Sequence, residues 1–231
     1  IKEAILENRI ICHYQPLLNI ENSEIYSYES LVRLIDNKGN SLAPYKFLDF
    51  SKKIKLYSSI TKIVVAQACK TFQNRDENFS INLSVDDIKD LETVDFILKT
   101  IKETNTSSRV TFEILESEGI ENYQEVISFI NQIKSLGARI AIDDFGTGYS
   151  NFEHLLRLDV DYIKIDGSLI KNIVTDDKHR LIVETIVSFA KRIGIKTVAE
   201  FVSDEKILQT IKEIGISCAQ GYHIGKPETL V

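Results

Sequence analysis

Short β-rich runs alternate with longer amphipathic helical segments from about residue 58 onward, and this alternation constrains the fold more than any other feature. FSINLS (79–84) precedes a helical pattern near 90–104, VTFEIL (110–115) one near 121–136, and RIAIDD (139–144) a short one near 150–157. YIKID (162–166) precedes a helix near 179–193, TVAEF (197–201) one near 204–213, and SCAQGY (217–222) closes the series. Such units predict a parallel sheet with right-handed crossovers. Upstream, CHYQPLLNI (12–20) and EIYSYESLVRLI (24–35) are separated only by Glu21-Asn22-Ser23, a connection short enough for an antiparallel hairpin. Eight strands result, and the expected fold is α/β: a (β/α)8 TIM-type barrel with an irregular, antiparallel first strand. The competing open, doubly wound sheet lacks its glycine-rich turn, because Gly146-x-Gly148 is a bare GxG with no GK[ST] after it.

No Pro/Ser-rich linker or repeat interrupts the pattern, so residues 1–231 read as one domain. A formal net charge of -6 argues against a surface that wraps nucleic acid, and DNA binding is not expected. No apolar run approaches the roughly 20 residues needed to cross a bilayer, and no signal peptide is visible. Cys12, Cys69 and Cys218 are odd in number and lack metal-site spacing, so they read as reduced packing residues in a cytoplasmic domain. The scattered histidines, His13, His154, His179 and His223, form no HExxH helix, which makes zinc improbable. Opening at Ile1 on a helical pattern, the chain reads as a domain excised from a longer multidomain protein, whose other parts could anchor it to a membrane.

Polar residues recur at the strand ends. Asn82, Glu113, Asp143 with Asp144, Lys164, Glu200 and Gln220 each lie in or near the C-terminal end of a strand, and Glu29 lies within the second strand of the hairpin. In a barrel these converge on the face that carries the chemistry. Glu29, Asn82, Glu113 and Asp143 supply oxygen donors, three of them anionic, and so much negative charge in a partly desolvated cup is destabilising without a cation. Hard oxygen ligands suit Mg²⁺, Mn²⁺ or Ca²⁺ better than zinc. Strict strand alternation would turn Asp144 away from its neighbour, but a turn at Phe145-Gly146 could swing it back and make a second ion possible. Two ions roughly 3.5–4 Å apart, bridged by Asp143, suit in-line phosphodiester hydrolysis. Lys164 then fits as a cation beside the attacking water or the phosphate, Glu200 as a proton acceptor, and Gln220 as a positioning group. Phe145, Tyr149 and Tyr222 read as packing residues, and Asp166 as a solvent-facing companion of its strand.

The same residues carry a pattern. The chain has E-S-L-V-R at 29–33, N-L-S at 82–84, F-E-I-x-E at 112–116, D-D-F-G-T-G-Y-S at 143–150, K-I-D at 164–166, A-E at 199–200 and Q-G-Y at 220–222. With Tyr14-Gln15-Pro16 and Pro227 at the ends, it resembles the EAL-domain family of cyclic di-GMP phosphodiesterases over essentially its whole length. That resemblance implies metal-dependent hydrolysis of cyclic di-GMP to linear pGpG in bacterial second-messenger signalling. It implies Glu29, Asn82, Glu113 and Asp143 on a first metal and Asp143 with Asp144 on a second. Lys164, Glu200 and Gln220 would surround the catalytic water, with the base being either Glu200 or a metal-held hydroxide. Gln15, Leu31 and Arg33 would contact the dinucleotide. Glu116 would anchor the Asp144–Ser150 loop, which in this family lies near a dimer interface. The implied cofactor is Mg²⁺ or Mn²⁺, as one or two ions, with Ca²⁺ inhibitory. A homodimer and flanking sensory or GGDEF-type domains are implied as partners.

Two departures stand out. The family usually continues A-E-G-V-E, whereas this chain has Ala199-Glu200-Phe201-Val202-Ser203, so a ring replaces a glycine and a second carboxylate is lost. They support the rival reading, a catalytically silent cyclic di-GMP receptor.

Overall fold

The computed structural model describes residues 1–116, 124–146 and 152–230. Its strands are β1 (Ile10–Asn19), β2 (Glu24–Ile35), β3 (Ser41–Leu42), β4 (Asn78–Leu83), β5 (Val110–Leu115), β6 (Arg139–Phe145), β7 (Tyr162–Ile165), β8 (Lys196–Ala199) and β9 (Cys218–Gln220). They follow the order β1-β9-β8-β7-β6-β5-β4-β2-β3, and an added β1–β2 pairing closes eight of them into a barrel with β3 as an appendage. β1 runs antiparallel to both neighbours, β2 and β9, whereas the neighbours from β2 through β4 to β9 pair in parallel. The expected barrel with an antiparallel first strand is therefore the observed fold.

Helices α1 (Lys2–Leu6), α2 (Leu48–Lys53), α3 (Tyr57–Phe72), α4 (Val85–Lys89), α5 (Leu91–Glu103), α6 (Gln124–Ser135), α7 (Phe152–Arg157), α8 (Gly167–Ile170), α9 (Asp177–Arg192) and α10 (Glu205–Ile214) join the strands. The strand-then-helix series omits α3, the crossover between β2 and β4. Its stretch Ile63-Val64-Val65 reads as β-branched, yet Ile60, Val64, Ala68 and Phe72 recur every four residues and are all buried. Side-chain caps start several helices: Asp90 on α5, Asp176 on α9 and Asp204 on α10 each accept first-turn N–H groups. Gly215 ends α10 in the left-handed conformation, with φ 88°.

Alternation divides each barrel strand between two environments. Outward residues such as Phe79, Ile81, Phe112, Ile114, Ile140, Ile142, Ile163 and Ile165 are fully buried under the helices and form the main core. Near the barrel's N-terminal end the inward residues are apolar, and Leu17, Ala141, Tyr162, Val198 and Cys218 make a separate plug. A register shift beside Leu17/Leu18 leaves Tyr26 as the extra residue of β2, and its hydroxyl meets that of Tyr162 at 2.6 Å. Above the plug the lining turns polar, through Ser27, Ser80 and Thr111 to Glu113 and Lys164. The three cysteines are free and buried, as expected of packing residues.

Candidate active site

Lys164 is the centre of the site. It points inward from β7, is 1 % exposed, and its ammonium lies among four carboxylates: Glu113 at 2.7 Å, Glu200 at 3.0 Å, Asp143 at 3.1 Å and Glu29 at 3.5 Å. Each acid is delivered by the alternation of a different strand: Glu29 from β2, Glu113 from β5, Asp143 from β6, and Glu200 from the residue after β8. Glu29 also accepts the Asn82 amide at 2.7 Å and the Gln220 amide at 2.6 Å. Asn82 itself is exposed at the barrel mouth. The Gln220 amide also reaches Gln15 Oε1 at 3.3 Å, while Gln15 donates to the Gly225 carbonyl at 3.1 Å. Gln220 Oε1 is buried without a hydrogen-bond partner among the described residues, leaving an acceptor for an incoming donor.

Asp144 reaches the site by a route the sequence reading places elsewhere. The reading puts the reversal at Phe145-Gly146; in the structure Asp144 itself takes a left-handed conformation, φ 55°, within a register shift between Ile142 and Phe145 against β7. That irregularity breaks the alternation, so adjacent acids serve one site. Its amide bonds Asp143 Oδ1 at 3.0 Å. Asp143, Asp144 and Glu200 each offer an oxygen within 4.8 Å of one another, a group able to hold a metal ion. Glu200, read as the proton acceptor, thus stands among the candidate ligands as well. The all-oxygen donor set fits a hard divalent cation. Glu116 accepts the Gly146 N–H at 3.3 Å, at the start of the loop it is expected to anchor. Gly148, Tyr149 and Ser150 lie outside the described residues.

The acids differ in proton affinity. Burial alone would raise Glu29, but Lys164 and the amides of Gln220 and Asn82 outweigh it and hold the carboxyl below its usual range. Burial pushes Glu113 well up, opposed by Lys164 and reinforced by Glu29 and Asp143. Glu200 is raised to about 8 by burial, against Lys164 and with the help of Asp143 and Glu29. Burial, then Asp143 and Asp166, lift Asp144 to about 6. Lys164 moves well above the ordinary lysine value, because the four carboxylates outweigh its burial. It is a permanent cation, not a base.

The acids open into a cleft of about 450 Å³ that Gln15, Leu31 and Arg33 help to line. Lys171, Phe201, Ser203, Tyr222 and Pro227 complete its wall. Tyr222 corrects the sequence reading: it is 68 % exposed in the cleft, whereas Phe145 is 1 % exposed and does pack. Asp166 is also no mere surface companion, since it caps α8 through the Ser168 N–H at 2.8 Å and meets Asp144. Of the lining residues the motifs omit, Phe201 and Ser203 carried a signal, as a ring where glycine is usual and as the place of a lost carboxylate. A second cleft, about 380 Å³, lies at the opposite end of the barrel beside Tyr26, Lys196 and Lys212, away from the acid cluster.

A TIM-type barrel carries its chemistry at the C-terminal ends of its strands, and here those ends gather a cluster of acids around one lysine. The model of the EAL domain matches residues 1–227, and the chain belongs to the EAL domain family. It is 35% identical over 237 residues to cyclic di-GMP phosphodiesterase PdeB of Shewanella oneidensis, covering 100% of this chain and 28% of that protein. It is 32% identical over 239 residues to the probable cyclic di-GMP phosphodiesterase PdeA of Escherichia coli, covering 100% of this chain and 32% of that one. The chain thus spans about a third or less of these relatives. A solved PaMucR phosphodiesterase in complex with c-di-GMP superimposes with a TM-score of 0.92 at 27% identity, covering 98% of this chain and 95% of that one.

Proposed function

We propose that this chain is a metal-dependent phosphodiesterase domain that hydrolyses one phosphodiester bond of cyclic di-GMP to give linear pGpG. The observation that carries the reading is the meeting of Asp143, Asp144 and Glu200 within 4.8 Å, beside the buried Lys164 and at the floor of the cleft. A bound Mg²⁺ or Mn²⁺ would supply charge stabilisation at the phosphate and acidify a water. Asp143, Asp144 and Glu200, with Glu29, Glu113 and Asn82 behind them, are the residues that would hold it.

The chain's own groups divide the remaining work. Arg33 and Gln15 bind and orient the dinucleotide in the cleft, with Leu31 beneath it. Lys164, fixed by four carboxylates, faces the negative charge on the phosphoryl oxygens as water adds and the P–O3′ bond breaks, O3′ leaving as a hydroxyl that takes its proton from solvent. Glu200, at the edge of the acid cluster, is the group that would take the water's proton. Gln220, with a free buried acceptor, orients the water. Glu116 holds the chain after Asp144 through Gly146.

On this reading calcium occupies the site without supporting turnover, the domain works in the bacterial cytoplasm as a homodimer, and sensory or GGDEF-type domains flank it. No helix among the described residues is long and apolar enough to cross a membrane. Incubating the purified chain with cyclic di-GMP and Mn²⁺, then separating the products by chromatography, should yield pGpG. Bound but unconverted nucleotide would instead make it a receptor.

A further inference from the structure

The segments that follow β6 and β8 close on the same short helix, α8. Gly146, one residue past β6, has φ 103°, and a Cβ there would lie 2.6 Å from Leu169 Cδ1. Gly167, the first residue of α8, lies directly under Phe201. A Cβ at 167 would strike the ring at Cδ2, lie 2.6 Å from Cγ and 2.9 Å from the Phe201 Cβ. No real side chain tolerates such approaches without displacing its neighbour.

Phe201 follows Glu200 directly and takes φ 54°, a left-handed conformation costing a bulky residue roughly 1–2 kcal/mol. The residue is 55% exposed, yet its ring is clamped, with Gly167 against it and the Lys171 ammonium 4.2 Å from the ring centroid. Main-chain bonds link the same elements. The Asp166 N–H donates to the Phe145 carbonyl at 3.2 Å, and the Glu200 N–H donates to the Ile165 carbonyl at 3.2 Å. The end of β7 and its turn into α8 therefore set Glu200, after β8, relative to Asp143 and Asp144, on β6.

We propose that Gly167 and Phe201 are a size-matched positioning pair: the ring fills the space a side chain at 167 would need and so holds Glu200 in register with Asp143 and Asp144. The ring that stands where the family usually has glycine is accommodated by the missing Cβ at 167. The inference rests on the reading that these three acids hold the metal. Neither residue is catalytic; both act through Glu200.

The test is Mn²⁺ affinity by isothermal titration calorimetry on the full chain, with circular dichroism for folding and amide exchange at Glu200 by NMR. Gly167→Ala should weaken Mn²⁺ binding by at least about tenfold, in the range of lost supporting interactions. Adding Phe201→Gly should return affinity to within about threefold of Phe201→Gly alone, because both the ring and the Cβ that a side chain at 167 would meet are gone. Wild-type affinity in Gly167→Ala, or a double variant at least about tenfold weaker than Phe201→Gly alone, would overturn the pairing. Should Gly167→Ala fail to fold, Phe201→Ala, which creates no clash, decides: faster exchange at the Glu200 amide with weaker Mn²⁺ binding supports the proposal, and no change in either refutes it. If the wild-type chain bound no Mn²⁺, the metal reading would fail by itself, and the Glu200 exchange rate in Phe201→Ala would decide the pair.

Discussion

Replacing Lys164 with methionine removes the cation around which the acids are arranged while keeping an unbranched apolar stem. At an effective dielectric near 20, one charge pair about 3 Å apart attracts by roughly 5 kcal/mol. Lys164 has carboxylate oxygens at 2.7, 3.0, 3.1 and 3.5 Å, but Glu113 and Glu200 are raised, so not all four are ionised at neutral pH. Desolvation of the buried ammonium offsets much of the remaining attraction, and loss of one partner of a buried ion pair costs about 3–5 kcal/mol net. At roughly 2–4 °C per kcal/mol for a domain of this size, the melting midpoint in chelator should fall by about 6–20 °C. The pH dependence is a second check. A raised lysine stabilises the fold fully below its unfolded value and loses that contribution only as pH rises through the folded one, well above 10.5. The wild-type advantage should therefore persist across the neutral range and narrow in acid, where the carboxylates are protonated. Thermal unfolding of both proteins in chelator measures it, and a variant within about 1 °C of wild type at neutral pH would refute the claim that Lys164 neutralises this cluster.

Other outcomes follow from the same geometry. Glu29→Ala takes away the acceptor of the Asn82 amide and one of the two acceptors of the Gln220 amide, and should cut metal-dependent turnover by about a hundredfold or more while the barrel still folds, as shown by rate measurements beside circular dichroism. Because Glu200 is raised from 4.5 to about 8, the metal-free fold binds more protons than the unfolded chain in that window, so its melting midpoint in chelator should fall as pH rises through it. Mn²⁺ at about a hundred times its dissociation constant adds roughly 2.7 kcal/mol and should reverse the loss most strongly at the alkaline end. Gly221→Ala would drive a Cβ into the Val202 main chain, including its carbonyl carbon at 2.7 Å, and should cost about 1–3 kcal/mol in urea unfolding.

The barrel was legible because alternation along strands and periodicity along helices are local properties. β5 at Val110–Leu115 and β2 at Glu24–Ile35 fall on the runs read from sequence. Glu113, Asp143, Lys164 and Glu200 could be aimed inward by the same parity. What local pattern conceals is the break in parity. Asp144 faces the site through its own left-handed conformation and a register shift, which no run of residue types announces. Lys171 and Tyr222 line the cleft because α8 and the segment after β9 fold over the barrel mouth, a consequence of tertiary placement alone. Phe201 was visible as an oddity, but its meaning required Gly167, thirty-four positions away in the chain and in contact with the ring.

The central claim, that this acid cluster performs metal-dependent hydrolysis, is tested most directly by titrating turnover of cyclic di-GMP against Mn²⁺ in chelator-treated protein. Formation of pGpG should rise from nothing to saturation along the Mn²⁺ binding curve. Nucleotide bound equally with and without Mn²⁺, and no pGpG at any metal concentration, would contradict it.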